Sequence, residues 1–320
     1  MNDRVNTEKV DAPIFAGAWR RLGAFAIDGV LLGLVGICAG YFLFDTLVDI
    51  GGWGRLLGFV VALAYFGTLN SRIGNGQTLG KRLLKIKVAG DDGAALPLHK
   101  AALRFAVLGT PWFLNGAWFS AEVLLSPLIY LLALAVFGVG LSIIYLFLFN
   151  RPTRKSLHDL AVSSYVVRSE SVGSIAASPI GRAHAVVVTV LLVAAAAAPF
   201  FTMRLAEREP FAALLEAYRA ISAEPGVVYA TVNKGWSSSV AGTSTYLSVL
   251  AYLADPRVDD AAKAGRLARL AMQADASGMQ VDVVQVTLVY GYDIGIASAY
   301  RSQSYGHTPA EWNEASAAKE

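Results

Sequence analysis

The chain reads as long apolar runs separated by short polar segments, followed by a stretch of mixed pattern. Apolar residues dominate 22–44, 53–69, 101–119, 123–149 and 185–202. A bilayer core takes roughly 20 apolar residues as a helix, so each run is expected to cross a membrane. The run 101–119 is the least apolar and carries Arg104 and Pro111; the run 123–149 is long enough to tilt. After Met203 the pattern becomes that of a folded soluble domain. Phe211, Leu214, Leu215, Tyr218 and Ile221 fall on one helical face behind Pro210, a residue suited to a first turn. Residues 226–234 and 243–253 alternate like strands, and 281–295 is the strongest strand pattern in the chain. Between them Asp259 and Asp260 open a helix, with Leu267, Leu270 and Ala271 as its apolar stripe, stopped near Gly278.

The expected fold class is therefore a mainly α-helical multi-pass membrane bundle of four plus one transmembrane helices, joined to a small C-terminal α+β domain of α-β-β-α-β order. The expected domains are a four-helix membrane domain (1–168), a small and polar linker (169–182), a fifth transmembrane helix (183–203) and the α+β domain (204–320). No internal repeat is evident, which gives no support to an inverted-repeat transporter.

Charge orients the helices. The segment 70–100 holds Arg72, Lys81, Arg82, Lys85, Lys87 and Lys100, and the segment 150–182 holds Arg151, Arg154, Lys155, Arg168 and Arg182. The other two loops hold Asp45, Asp49 and Glu122 and almost no basic residue. The positive-inside rule places the basic loops and the N-terminus in the cytoplasm, and five crossings place the C-terminal domain outside.

Composition supports a membrane protein: 55% of residues are hydrophobic and 16% charged. A net charge of +3, without a basic patch interleaved with aromatics, argues against nucleic-acid binding. With Cys38 as the only cysteine, no intramolecular disulfide can form. Arg20 and Arg21 before an apolar run resemble a signal peptide, but the run continues past Phe44 and reads as a retained helix.

Two residues in that first helix demand partners. Arg21 and Asp28 lie two turns apart on nearly one face, about 10 Å along the axis. Arg21 can reach the headgroups. An ionised Asp28 facing lipid would cost about 2.5–3.5 kcal/mol. Asp28 is therefore expected to face the bundle, with Arg104 or Arg21 as its partner and Asn115 as a weaker one. An ion site and a structural ion pair both fit. Gly29, Gly33, Gly36 and Gly40 form an adjacent stripe suited to close helix packing, within the chain or in a homo-oligomer.

The loops offer little catalytic or metal chemistry. NGQTLGKRLLKIKV (75–88) fails as a phosphate loop, because the first glycine of that motif falls on Asn75 and Arg82 replaces its Ser/Thr. It reads as a turn at Asn75-Gly76 followed by a basic anchor for anionic lipid. His158-Asp159 lacks metal-ligand spacing and reads as a cap or an intra-loop salt bridge to Lys or Arg. Ser237–Ser239 have no nearby base, so no metal, cofactor or enzymatic activity is expected.

Three ordered motifs carry a family resemblance: Arg21-x-x-Ala24-x-x-Ile27-Asp28, then GQTLGKRLLKIKV, then SLHDL with Asp159. Over residues 15–168 the chain resembles the RDD family of bacterial membrane proteins, named for one arginine and two aspartates. These match Arg21 (or, by a slip in register, Arg20), Asp28 and Asp159. The resemblance implies a multi-pass domain of the bacterial inner membrane involved in transport, some members being linked to cation/proton antiport. It does not reach the C-terminal domain. Two functions stay open. One is transport of an ion or small ligand through a buried Asp/Arg site. The other is a non-enzymatic scaffold in the bilayer that presents 204–320 to an envelope protein partner.

Overall fold

The computed structural model describes residues 15–171, 173–175, 179–209, 211–239, 242–274 and 281–317. Pro210 and Gly278, the expected helix start and stop, lie outside the described residues, as does most of the polar N-terminus. The N-terminal region is helical and holds three stretches long and apolar enough to cross a membrane: Ala18–Leu69, Leu128–Phe149 and Arg182–Ala206. The first contains two helices, α1 (Ala18–Ile50) and α2 (Gly54–Leu69), with α1 broken at Leu43. The short α3 (Leu79–Leu83) follows. Next comes α4 (Leu98–Leu114), with 17 residues that include Arg104 and Pro111. It is not among those three stretches, although 101–119 was expected to be a span. The short α5 (Ala121–Leu124) and a break at 125–127 take up the start of the expected run 123–149, and α6 (Leu128–Ala133), a π-helical turn (Leu134–Val139) and α7 (Gly140–Phe149) together make one stretch. Then come α8 (Leu157–Leu160) and the long α9 (Arg182–Ala206).

The chain divides into two compact units. The first takes in the chain up to Gly36, Arg55–Gly116 and Leu131–Ala196. Within it a two-stranded antiparallel sheet pairs β1 (Ile86–Gly90) with β2 (Ser164–Arg168), Val88 opposite Val166. From sequence the segment after Asp159 reads as either strand-like or interfacial; it forms β2, and its partner β1 is not expected. Ile86, Val88 and Val166 are buried with Ala16, Ala24 and Ala101. The described part of the 169–182 segment also packs here: Ile175 is buried beside Ala89, Tyr165 and Val167, and its N–H donates to Asp91 O. One isoleucine in a polar stretch thus ties the segment down.

The second unit takes in Ile37–Gly54, Ala117–Tyr130 and the chain from Ala197. Its sheet domain runs α10 (Phe211–Ser222), β3 (Val227–Ser239), β4 (Gly242–Leu253), α11 (Ala261–Ala274), β5 (Val283–Asp293), β6 (Ser298–His307) and α12 (Pro309–Ala317). The strand order is β3-β4-β5-β6; β4 and β5 are parallel and the outer pairs antiparallel. Parallel pairing needs a crossover, and α11 supplies it. Leu247, Val249, Ala251 and Leu253 alternate inward along β4 and meet Val284, Val286 and Leu288 of β5 and Leu267 and Ala271 of α11. The elements β6 and α12 extend the expected order. β6 is polar and exposed, as an edge strand should be. Trp312 anchors α12 by donating its indole N–H to Val284 O at 3.0 Å.

The same unit joins this domain to two of the expected loops. Tyr290, Tyr292 and Ile294 bury Leu47 and Val48. Trp118 stacks on Tyr229 at 5.6 Å between ring centres and lies 4.7 Å from Tyr252.

Candidate functional site

The first unit contains two fully buried aspartates, Asp28 and Asp159. The buried line of α1 is Ala24, Asp28, Leu32, Gly36 and Gly40, one residue every four. Asp28 therefore faces inward, as expected, but it does not meet an arginine. Its Oδ1 accepts from Tyr65 Oη (2.7 Å) and from the Gly80 N–H (2.8 Å), and its Oδ2 accepts from Thr78 Oγ1 (2.5 Å). All three donors are neutral.

The 70–90 segment is built to deliver those donors. Asn75 and Gly76 turn the chain with left-handed backbone, φ 54° and 71°. A side chain at Gly76 would run into Val88 O, so only glycine lets the turn lie on β1. Thr78 then caps α3, its Oγ1 accepting from the Lys81 N–H. Gly80 is equally constrained: a Cβ there would sit 2.2 Å from Ala24 O and 3.0 Å from Asp28 Oδ1. A carboxylate at the start of a helix satisfies N–H groups that lack an intrahelical partner. The TLGK sequence is thus the receptor for Asp28, and it explains a motif that reads by itself only as a basic anchor.

The two arginines converge on Asp159 instead. Arg104 donates from Nε and Nη2 to Asp159 Oδ1 at 2.9 and 2.7 Å, with both side chains buried. Arg21 Nη1 lies 3.6 Å from Asp159 Oδ2, and the same guanidinium donates to the carbonyls of Arg154, Thr153 and Val166. Ser164 Oγ and the Ser156 N–H complete the carboxylate. Asp159 therefore caps α8, as expected, but its salt bridge is not within its own loop: it runs to Arg104 of α4 and Arg21 of α1. Burial alone would raise its carboxyl, but Arg104, helped by Arg21, outweighs burial and holds it below the usual carboxylate range. The expected Arg21–Asp28–Arg104 site is thus corrected: Arg21 and Arg104 share Asp159, and Asp28 stands apart. Arg20 is exposed, which assigns the motif arginine to Arg21, and Asn115 is exposed and takes no part.

The glycine stripe is corrected too. Gly29 is exposed with nothing near its missing Cβ, and Gly40 packs on Tyr292, which a Cβ would strike. Gly33 is half-buried and Gly36 buried, so the four positions do not share one helix-packing face within the chain.

Beside the Asp159 cluster lies a cavity of about 430 Å³. Its walls are mainly apolar, with Phe25, Phe66, Phe105 and Ile144 among them; Phe66 and Phe105 stack at 4.7 Å. Arg21, Asn70, Lys81, Arg104 and His158 also line it. Burial, opposed by Asp159, pushes His158 down to about 3, so its ring is neutral. Burial, helped by Arg104 and opposed by Asp28 and Asp159, pushes Lys81 from 10.5 to about 7. Buried polar atoms normally find partners. Here Asn70 Oδ1, His158 Nδ1 and Arg21 Nε have none among the described residues. Sequence reasoning overlooked Asn70, Tyr65 and Thr78, and took Lys81 only as a charge in a loop. Thr78 ahead of an apolar-basic helix was the readable signal. No cluster of metal-ligating side chains occurs among the described residues.

The RDD family model matches residues 15–163, which include all three motif residues. No curated protein and no solved structure matches the chain. Residues 15–163, the region that holds both buried aspartates, are thus similar to the RDD family.

Proposed function

We propose that this RDD-like domain takes part in transport by binding a small ligand in the cavity lined by Lys81, Asn70 and His158. The cavity carries the reading: its size is that of a small-molecule site, and it joins apolar walls to polar side chains of which Asn70 Oδ1 and His158 Nδ1 have no partner among the described residues. Arg104 and Arg21 on Asp159 form a fixed floor beside it. Asp28, held by three neutral donors, is a structural staple between α1 and the TLGK turn.

The chain is proposed to sit in a bacterial inner membrane with its N-terminus in the cytoplasm, crossing five times. At about 1.5 Å per residue α4 would span roughly 25 Å, close to the thickness of a bilayer core. The two loops poor in Lys and Arg belong to the same unit as the C-terminal domain. That supports a domain on the side those loops face, which the positive-inside rule makes the outside.

Flux across liposomes containing the full chain, under imposed pH, sodium and potassium gradients, tests the reading. Leu108→Trp, which fills the cavity, should abolish flux, and Asp28→Asn should retain it if the protein folds. Loss in Asp28→Asn alone would instead make Asp28 the titrating group. Absence of flux in the wild type under every gradient would sink transport. The scaffold reading would then stand on the C-terminal domain, which has a complete core of its own. Crosslinking in intact cells should in that case trap an envelope protein on the domain, and a clean result would remove that reading as well.

A further inference from the structure

We propose that the cavity takes a single-chain anionic amphiphile from the bilayer, its headgroup on Lys81, Asn70 and His158 and its chain along the phenylalanines. The proposal rests on the reading of the cavity as a ligand site and names the chemistry of that ligand.

The first argument is access. Leu22, Phe25, Ile144 and Leu148 line the cavity and are each about half exposed, at 46, 51, 55 and 48%. They belong to the stretches Ala18–Leu69 and Leu128–Phe149, both apolar enough to cross a membrane. In a bilayer such residues face lipid, so the cavity opens to acyl chains. A ligand arriving that way must itself be apolar over most of its length.

The second argument is charge. Lys81 lies in the field of Arg21, Arg104, Asp28 and Asp159. Three bases therefore face two acids. Both acids are already engaged, Asp159 by Arg104 and Asp28 by Tyr65, Thr78 and Gly80. Among the described residues Lys81 Nζ reaches only Thr78 Oγ1 at 3.5 Å and the face of Phe66 at 5.7 Å. A desolvated ammonium without a carboxylate partner is costly, and an anion beside it removes that cost. A cation would meet Lys81 and two guanidiniums.

The third argument is the unpartnered atoms. Asn70 is 2% exposed and His158 7% exposed. The Asn70 amide can offer N–H or C=O, and the neutral His158 ring, whose Nε2 faces Asp159 Oδ1 at 3.6 Å and keeps the proton there, presents Nδ1 as an acceptor. Lys81 and the Asn70 amide thus supply donors for the oxygens of a phosphate or carboxylate headgroup, and His158 Nδ1 accepts from a headgroup hydroxyl.

The test uses the purified full chain in neutral detergent and three probes. Lysophosphatidylglycerol has one chain and one fixed negative charge. Lysophosphatidylcholine has the same chain and no net charge. Inorganic phosphate has the charge without the chain. Native mass spectrometry and thermal unfolding read binding. Lysophosphatidylglycerol should bind at least tenfold more tightly than lysophosphatidylcholine, and phosphate should not shift the unfolding temperature. Lys81→Gln should bring the two lipids to near equality, while Lys81→Arg keeps the preference. Ile144→Trp, at the exposed mouth where folding is not at stake, should weaken both lipids. Equal binding of the two lipids by the wild type, or a preference unchanged in Lys81→Gln, would overturn the headgroup assignment alone. Phosphate binding as tightly as the lysolipid would overturn the amphiphile in favour of a soluble anion. Lipid binding indifferent to Ile144→Trp would place the lipid elsewhere and take the cavity reading down with it.

Discussion

Asp28 and Asp159 are both fully buried, in one domain, and they are neutralised in opposite ways. Asp159 meets two guanidiniums; Asp28 meets a phenol, a hydroxyl and a backbone N–H. The difference teaches what each can lose. Removing the Asp159 charge leaves two buried cations facing each other, which is the costly way to break a buried pair. Removing the Asp28 charge strands only one neutral donor. In this chain Arg21, Arg104 and Asp159 are thus one ion pair network, whereas Asp28 is a latch between α1 and the TLGK turn.

The sharpest way to break the comparison is at Asp159. Asp159→Asn should cost about 3–5 kcal/mol, seen as loss of folded protein in detergent. Pairing it with Arg104→Met should recover part of that loss, because fewer charges are then stranded. A simple sum of the two effects would mean that the pair is not coupled. Next in size is Gly80→Ala. Its new Cβ meets a backbone oxygen of α1, which cannot swing aside as a side chain could, so the cost should reach about 3 kcal/mol. A neutral outcome would show that α3 does not press on α1. Asp28→Asn should cost only about 1–2 kcal/mol, since the amide can still accept from Tyr65 and Gly80. If it equals Asp159→Asn in a thermal melt, the two aspartates do not differ in kind.

How far the sequence disclosed this depends on the range of the interaction. The helices of α1, α2 and α9 and the strands β3, β4 and β5 were legible because apolar periodicity is local. Asp28 facing inward was legible from the cost of a charge in lipid. Its partner was not, because Thr78 and Gly80 lie about fifty positions on and present hydrogen bonds instead of charge. Arg104 looked like the natural counter-ion, and only the folding of α8 against α4 gives it Asp159. β1 was hidden among basic residues whose alternation, Ile86 and Val88 inward, is too short to stand out. β6 was hidden by its polarity.

The smallest expected effect concerns Lys81, the one base near both aspartates that pairs with neither. Arg21 and Asp28 face it from α1, Tyr65 from α2, Arg104 from α4, and His158 and Asp159 from α8. In the folded protein Lys81 gives up its proton near pH 7; in the unfolded chain it keeps it to about 10.5. Between those values the unfolded state binds more protons, so stability should rise with pH across that window. Below pH 7 both states carry the proton and the penalty of burying it is complete. Lys81 is part-exposed, which keeps the effect small. The wild type should therefore melt slightly higher at pH 9 than at pH 7, and Lys81→Met should lose that increment while gaining stability at pH 7. A bound anion would hold the proton on Lys81 and flatten the wild-type profile, so saturating lysophosphatidylglycerol should make the two proteins alike in slope. A wild-type slope that survives in Lys81→Met would assign the titration to another group and leave Lys81 without the unpaired charge argued for it.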